Sequence, residues 1–320
     1  MINLSGQVIV ARPVRVLDVR WHSLAETFRL CWEEARPIVQ VAFLLRFAVG
    51  VVSVGQLPQS LGRPVLGMAS LWCAVVCAYL LNGVTDVHED RVNGSRRPIA
   101  RGDLPERTAA RGTVLLACAA LLLGGLAGPS VVAWTAAFLV LGWAYSADPV
   151  KAKCSSGRCA AVVFGLGATA YGAGVAASGG AWTATGALVA GVMSAWMALV
   201  GAVTKDLGDV SGDAAGGRRT VAVVRGPAAA RALAVAGALT VGAAAPALAL
   251  LWAEPALTVA VPVALGSVWV VVRVLRGARR EHDGRAERRG AYRAFMVTQY
   301  AANLTALAGL AGLALPGLLG

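Results

Sequence analysis

Two stretches of this sequence set carboxylates at helical spacing beside clusters of arginine. The first runs Leu81-Asn82-Gly83-Val84-Thr85-Asp86-Val87-His88-Glu89-Asp90-Arg91-Val92-Asn93-Gly94-Ser95-Arg96-Arg97-Pro98. Asn82, Asp86 and Asp90 recur every four residues, so a continuing helix lines three oxygen donors along one stripe. In the second, from Lys205 to Thr220, Asp206, Asp209 and Asp213 again share one helical face. Like charges on one face repel, and a bound cation removes the conflict. Oxygen donors without Cys or His select hard ions, and a few carboxylates facing a basic loop suit Mg2+ that shares its shell with phosphate oxygens. Arg96, Arg97, Lys151, Lys153, Lys205, Arg218 and Arg219 then supply counter-charge to the anion.

A third loop, Tyr145-Ser146-Ala147-Asp148-Pro149-Val150-Lys151-Ala152-Lys153, brings a Tyr and two Lys that suit a diphosphate. The two aspartate stretches also echo each other. Asp90 and Asp213 each precede a glycine by four residues (Gly94, Gly217), then come a double Arg and an Arg-Gly pair (Arg101-Gly102, Arg225-Gly226). This reads as a weak internal repeat.

The elements that must carry these loops are membrane helices. The chain has 320 residues, 57% hydrophobic and 14% charged, which excludes most soluble folds. Positions 64–85, 112–147, 159–204, 232–253, 255–272 and 294–320 hold no Asp, Glu, Lys or Arg. A span needs about 20 apolar residues, so the two longest blocks read as hairpins that turn at Gly128-Pro129 and at Ser178-Gly179-Gly180. With a first span that tolerates Arg46, nine helices are predicted, at 37–56, 64–83, 109–127, 130–146, 159–177, 182–203, 229–251, 255–273 and 294–315. The runs are continuous rather than alternating, which excludes a β-barrel. The fold predicted is all-α, nine transmembrane helices around a central cavity, with residues 1–36 as a cytoplasmic or interfacial segment and 37–320 as the catalytic domain. An Arg-and-acid helix is expected near 22–35.

Charge sets the orientation. With nine spans the amino-terminal face owns 27 of the 29 Lys and Arg and 16 of the 17 acids. By the positive-inside rule that face is cytoplasmic and the cavity opens there, in the cell (inner) membrane. The formal charge of +12 is therefore a property of one surface, read as topology and attraction to anionic lipid or ligand, not as nucleic-acid binding. No cleavable signal precedes the first span. The six cysteines lie in predicted spans or on the cytoplasmic side, and Cys154 and Cys159, which share a loop, have no His near, so neither a disulfide framework nor zinc is expected. Arg46 near mid-span should face the cavity or pair with an acid, either a structural partner or an acidic or phosphorylated acceptor. Trp72, Trp143 and Trp196 are further candidates for lining it. The glycines of Gly165-Leu166-Gly167-Ala168-Thr169-Ala170 read chiefly as close-packing positions.

At these residues the chain resembles the UbiA superfamily of intramembrane prenyltransferases, from about Arg36-Pro37 to its end. Asn82, Asp86, Asp90, Asn93, Arg97 and Pro98 fit the family's first aspartate motif; Lys205, Asp206, Asp209, Gly212, Asp213, Gly217 and Thr220 fit its second. Tyr145, Ser146, Pro149 and Lys153 fit a third, with Lys151 in place of an Arg and Asp148 in place of a Pro. Gly83 stands where an Asp often follows the motif Asn. The resemblance implies transfer of an isoprenyl group from an allylic diphosphate to a hydrophobic or aromatic acceptor in the lipid bilayer. It implies Mg2+ held by Asn82, Asp86, Asp90, Asp206, Asp209 and Asp213, with Asp86, Asp90, Asp209 and Asp213 catalytic. Arg97, Tyr145, Lys151, Lys153, Lys205, Arg218 and Arg219 are then the diphosphate ligands. A terpene cyclase acting on the same diphosphate without an acceptor is the alternative, and a glycerol-phosphate acceptor or a non-catalytic transporter are lesser ones.

Overall fold

The computed structural model describes residues 23–278, apart from 57 and 59, and residues 289–314. Within them the chain is helical, with one isolated parallel bridge between Ser155 and Arg219. The helices are α1 (Leu24–Glu34), α2 (Pro37–Val52), α3 (Gly62–Thr85), α4 (Val87–Val92), α5 (Pro98–Arg101), α6 (Glu106–Ala127) and α7 (Pro129–Ser146). They continue as α8 (Ser156–Ser178), α9 (Ala184–Ala195), α10 (Ala202–Ala215), α11 (Val221–Val224), α12 (Gly226–Trp252), α13 (Leu257–Ala278) and α14 (Gly290–Ala314). Short 3-10 turns cover Ala152–Cys154 and Glu254–Ala256. A π-helical turn, Trp196–Gly201, joins α9 to α10 without a break.

Both predicted hairpin turns fall where glycine and proline punctuate the sequence. Gly128 (φ 135°) separates α6 from α7, which opens on Pro129, and Gly179 (φ 80°) ends α8. Such φ values suit a residue without Cβ. The Arg63 guanidinium reaches Ser130 Oγ at 3.2 Å and lies beside both glycines, so the two turns share one end of the molecule. The aspartate loops, one helix length away from these turns, lie at the other end.

Seven segments are long and apolar enough to cross a membrane, α3, α6, α7, α8, α9 with α10, α12 and α13, and an eighth arises if α1 and α2, bent by 73°, count as one. The chain is thus a multi-pass membrane protein, while the expected nine spans reduce to seven or eight by this measure. The shortfall lies in α2 and α14. The first has 16 residues and buries Gln40 and Arg46, and the second buries Thr298, Gln299 and Asn303. α2 falls short in length, not in apolarity, whereas α14 turns polar side chains into the protein, which lowers its apolarity. The segments 1–22 and 279–288, part of the predicted interfacial stretch and of the most basic loop, lie outside the described residues, as do 315–320.

Two apolar cores form. Phe43, Phe47, Leu71, Ala120, Phe138 and Leu166 join α2, α3, α6, α7 and α8; Met193, Trp196, Ala238, Val263, Phe295 and Ala306 join α9, α12, α13 and α14. Glycine lets α2 and α8 touch backbone to backbone: a Cβ at Gly50 would stand 2.3 Å from the Tyr171 carbonyl oxygen, and one at Gly174 2.1 Å from that of Phe47. The cores meet where α2 packs on α14 and α8 on α9, and a cavity lies between them.

Candidate active site

The weak repeat in the sequence corresponds to a repeated local structure. Asp90 O accepts from Ser95 N at 2.8 Å across Gly94 (φ 61°), and Asp213 O accepts from Arg218 N at 2.8 Å across Gly217 (φ 67°). These six-to-one bonds around a left-handed glycine end α4 and α10 alike. Each unit then runs through a four-residue helix, α5 or α11, to a second left-handed glycine, Gly102 or Gly226 (both φ 83°).

The units differ at their entry. Asp86 adopts φ −112° and ψ 16°, so α3 stops at Thr85 and α4 starts anew at Val87. The stripe of Asn82, Asp86 and Asp90 expected of a continuous helix therefore splits. Asn82 faces the cavity and Asp86 pairs with Lys153 Nζ (2.6 Å) and Arg218 Nη2 (2.7 Å), whereas Asp90 pairs with Arg97 Nη1 (2.8 Å). By contrast α10 runs unbroken through its motif. Its carboxylates meet different partners along that face: Asp206 lines the cavity, Asp209 meets Arg289 Nη2 at 2.7 Å, and Asp213 meets Arg218 Nη1 at 3.0 Å.

Arg218 is the junction between the two loops, since one guanidinium holds Asp86 of the first and Asp213 of the second. Burial favours the neutral form of Asp86, but Lys153 and Arg218 outweigh it and hold the carboxyl below its ordinary value. Burial pulls Lys153 down, an effect that Asp86 offsets only in part, whereas Asp86 and Asp213 overcome burial for Arg218 and raise it. Gly212 N donates to Asn93 Oδ1 at 3.0 Å, and a Cβ at Gly212 would lie 2.7 Å from the Glu89 carbonyl oxygen, so the loops close on a glycine. The third loop joins them through Lys153 Nζ on Thr85 Oγ1 (2.6 Å) and Arg219 N on Cys154 O (2.8 Å).

The cavity holds about 1000 Å³ of empty space, counting its open part. Arg36, Asn82, Tyr145, Lys205 and Asp206 give it a polar lining, and Phe43, Phe138, Val163, Leu166 and Phe295 an apolar one. Among the described residues neither Arg36 nor Lys205 is in an ion pair, so both cations remain available to an anion. Of the candidate residues, Asn82, Tyr145, Lys205 and Asp206 line this space. Asp86, Asp213, Lys153 and Arg218 form the buried junction, and Asp90 with Arg97 and Asp209 with Arg289 form flanking pairs. Lys151 sits half-buried in a left-handed turn (φ 37°), and the Arg96 and Arg219 side chains are exposed. Trp72, Trp143 and Trp196 do not line the cavity; Phe43, Tyr79, Phe138, Tyr292 and Phe295 supply its aromatic surface.

Among the described residues no three His, Cys, Asp or Glu converge as a metal-binding group, because basic side chains occupy the carboxylates. The donor set nevertheless fits a hard cation. Every donor is an oxygen, Asp86 and Asp213 already converge on one positive group, and Asp213 Oδ2 is buried without a hydrogen-bond partner.

Sequence reasoning missed several of these partners. Glu34, fully buried, binds Arg97 Nη2 at 2.6 Å and accepts from Ile99 N at 2.9 Å. It also explains Gly83, where a Cβ would lie 2.3 Å from Glu34 Oε1: the carboxylate of α1 fills the space a side chain there would take. Nothing in the Glu33-Glu34 pair signals this. Arg36, held at φ 56° just before Pro37, and Arg289 were likewise overlooked. A legible signal did exist for Gln299 and Asn303, two amides one helical turn apart in an apolar run.

The sequence profile of the UbiA prenyltransferase family matches residues 43–316. A digeranylgeranylglyceryl phosphate synthase from Halobacterium salinarum is 34% identical over 227 residues, 69% of this chain and 77% of that protein. The bacteriochlorophyll synthase 33 kDa chain of Cereibacter sphaeroides is 31% identical over 129 residues, 40% of this chain and 43% of its own length. In fold the chain is similar to a UbiA homolog from Archaeoglobus fulgidus solved bound to GPP and Mg2+, with a TM-score of 0.63 at 18% identity, covering 88% of this chain and 99% of that one.

Proposed function

Because the chain belongs to the UbiA prenyltransferase family, we propose that it is an Mg2+-dependent intramembrane enzyme that moves an isoprenyl group from an allylic diphosphate to an aromatic acceptor. The observation that carries this reading is the cavity, whose polar lining offers Arg36 and Lys205 free of ion pairs among the described residues and whose apolar lining is aromatic and aliphatic. An anionic head and an apolar tail call for those two surfaces side by side.

In this reading Arg36, Lys205 and Tyr145 hold the diphosphate at that polar lining. Asn82, Asp206, Asp86 and Asp213 would hold Mg2+, with Asp90 and Asp209 fixing the loops through Arg97 and Arg289. The metal, when bound, neutralises charge that builds on the departing diphosphate. The faces of Phe138 and Phe295 stabilise the allylic cation, and the surrounding helices exclude water that would quench it. The further parts of the reading are nine crossing helices in the cell (inner) membrane, a cytoplasmic amino terminus and a cavity that opens on that side, supported by the one-sided charge of the sequence.

A glyceryl phosphate acceptor is a second reading, favoured by the names of relatives such as the Halobacterium salinarum synthase. The test is purified protein in detergent with Mg2+ and geranylgeranyl diphosphate, with and without aromatic or glyceryl phosphate acceptors, products read by mass spectrometry. A prenylated aromatic product supports the proposal. Hydrocarbon or prenyl alcohol without any acceptor replaces it with a cyclase, and no consumption across prenyl lengths overturns it.

A further inference from the structure

Arg36 reaches the cavity from the corner between α1 and α2, and its backbone there is strained. The two helices are bent by 73°, and Arg36 between them adopts φ 56° and ψ 78°. A residue before proline is ordinarily extended, and a side chain at left-handed φ persists only where its surroundings hold it. This corner is held from both sides. On one, Gln40 Nε2 of α2 donates to Ala35 O at 2.8 Å, and both residues are buried. On the other is Glu34, fully buried at the end of α1. Its Oε2 accepts from Ile99 N at 2.9 Å, its Oε1 meets Arg97 Nη2 at 2.6 Å, and its backbone carbonyl accepts from the same Nη2 at 3.3 Å. Ile99 N lies in the first turn of α5, so Glu34 supplies from another helix the acceptor that a cap would. Neither Glu34 nor Arg36 falls within the stretch 43–316 that the family profile matches.

We propose that Glu34 is a positioning residue: by fastening the end of α1 to the first aspartate loop it fixes the conformation of Arg36, and so the cation that meets the diphosphate. This deepens the role proposed for Arg36 and rests on it. Glu34 also gives counter-charge to Arg97, a task it shares with Asp90, 2.8 Å from Nη1. Gly83 allows the two tasks to be separated. A Cβ there would stand 2.3 Å from Glu34 Oε1 and 3.0 Å from Arg97 Nη2. Once Glu34 is truncated, Gly83→Asp therefore returns a carboxylate to Arg97 from α3 while α1 stays unfastened.

The experiment measures binding of inorganic pyrophosphate with Mg2+ by calorimetry on the detergent-solubilised full chain, with Tm read on the same samples. Arg36→Ala should weaken binding by about 10- to 100-fold, the scale of a hydrogen bond to a charged group. Glu34→Ala should lower Tm and weaken binding by about 10-fold, the loss expected when the competent conformation falls to about a tenth of the population. Glu34→Ala with Arg36→Ala should bind within about twofold of Arg36→Ala alone, because residues that act through one another are not additive. Glu34→Ala with Gly83→Asp should regain Tm but not affinity. If Glu34→Ala does not fold, Glu34→Gln, which gives up the ion pair with Arg97, takes its place in the cycle. Affinity that is unchanged on truncating Glu34, that returns together with Tm on Gly83→Asp, or that falls in the double variant by the product of the two single losses overturns the proposal. Unchanged affinity in Arg36→Ala removes instead the role of Arg36 on which the proposal stands, and a wild type that binds no pyrophosphate sinks the diphosphate reading itself.

Discussion

The two aspartate loops leave their helices by the same turn and enter them differently, and that difference divides their work. In the first, α3 ends at Asp86, so Asp86 and Asp90 point to separate basic partners and tie together α1, the third loop and the second aspartate loop. In the second, α10 continues through the motif and carries Asp206 to the cavity wall. The cavity position is thus an amide, Asn82, in the first segment and a carboxylate, Asp206, in the second, while Asp86 and Asp213 share the Arg218 clamp. Shared residue types set the chemistry available to a loop, whereas helix continuity decides where each side chain points.

The sharpest way to break this comparison is to substitute one acid from each loop. Asp206→Ala should lower diphosphate release by about 10²- to 10³-fold, the effect of removing a placed electrostatic group, with little change in Tm. Asp90→Ala should act mainly on Tm, because it leaves Arg97 with Glu34 alone. Equal effects of the two on both readouts would refute the division. Removing the junction comes next. Arg218→Met leaves Asp86 and Asp213 buried without their shared cation and should destabilise the protein by about 3–5 kcal/mol, read by denaturation in detergent. Mg2+ should restore more of that loss in the variant than it adds to wild type.

A smaller effect is expected with pH. Asp86 is held below its ordinary value of 3.8, so between that value and its folded one the unfolded chain binds a proton that the folded chain does not. Its contribution is fully present above the ordinary value and is lost as pH falls through the folded one. Tm should therefore fall with pH below about 4 in wild type and fall less steeply in Asp86→Asn, which lacks the titrating group. The smallest effect belongs to the rim, where Arg101 pairs with Glu33 and Asp103 at the surface; Arg101→Ala should change stability by under about 1 kcal/mol.

Much of this arrangement was legible in the residues. Uncharged runs marked the helices, Gly128-Pro129 and Gly179 marked the turns, and the spacing of Asp90 to Gly94 and of Asp213 to Gly217 matched two real copies of one cap. These are local properties, set by periodicity and by backbone conformations that few residues adopt. Glu34 beneath Gly83, Arg218 between two loops, and Lys153 on Asp86 were not legible, because each partner comes from more than 45 residues away or from a different loop.

By itself the sequence determined that the chain is a bundle of membrane helices, and which residue types stand in its two aspartate loops. Burying apolar runs and keeping charges out of lipid leave little choice on either point. Tertiary structure alone decided which carboxylates meet cations and which face the cavity. It also left Arg46 buried without an acid among the described residues, since the helix that packs against it presents Gln299 at that level. Pairing among buried charges depends on angstrom-scale distances between helices, and no pattern along the chain encodes those distances.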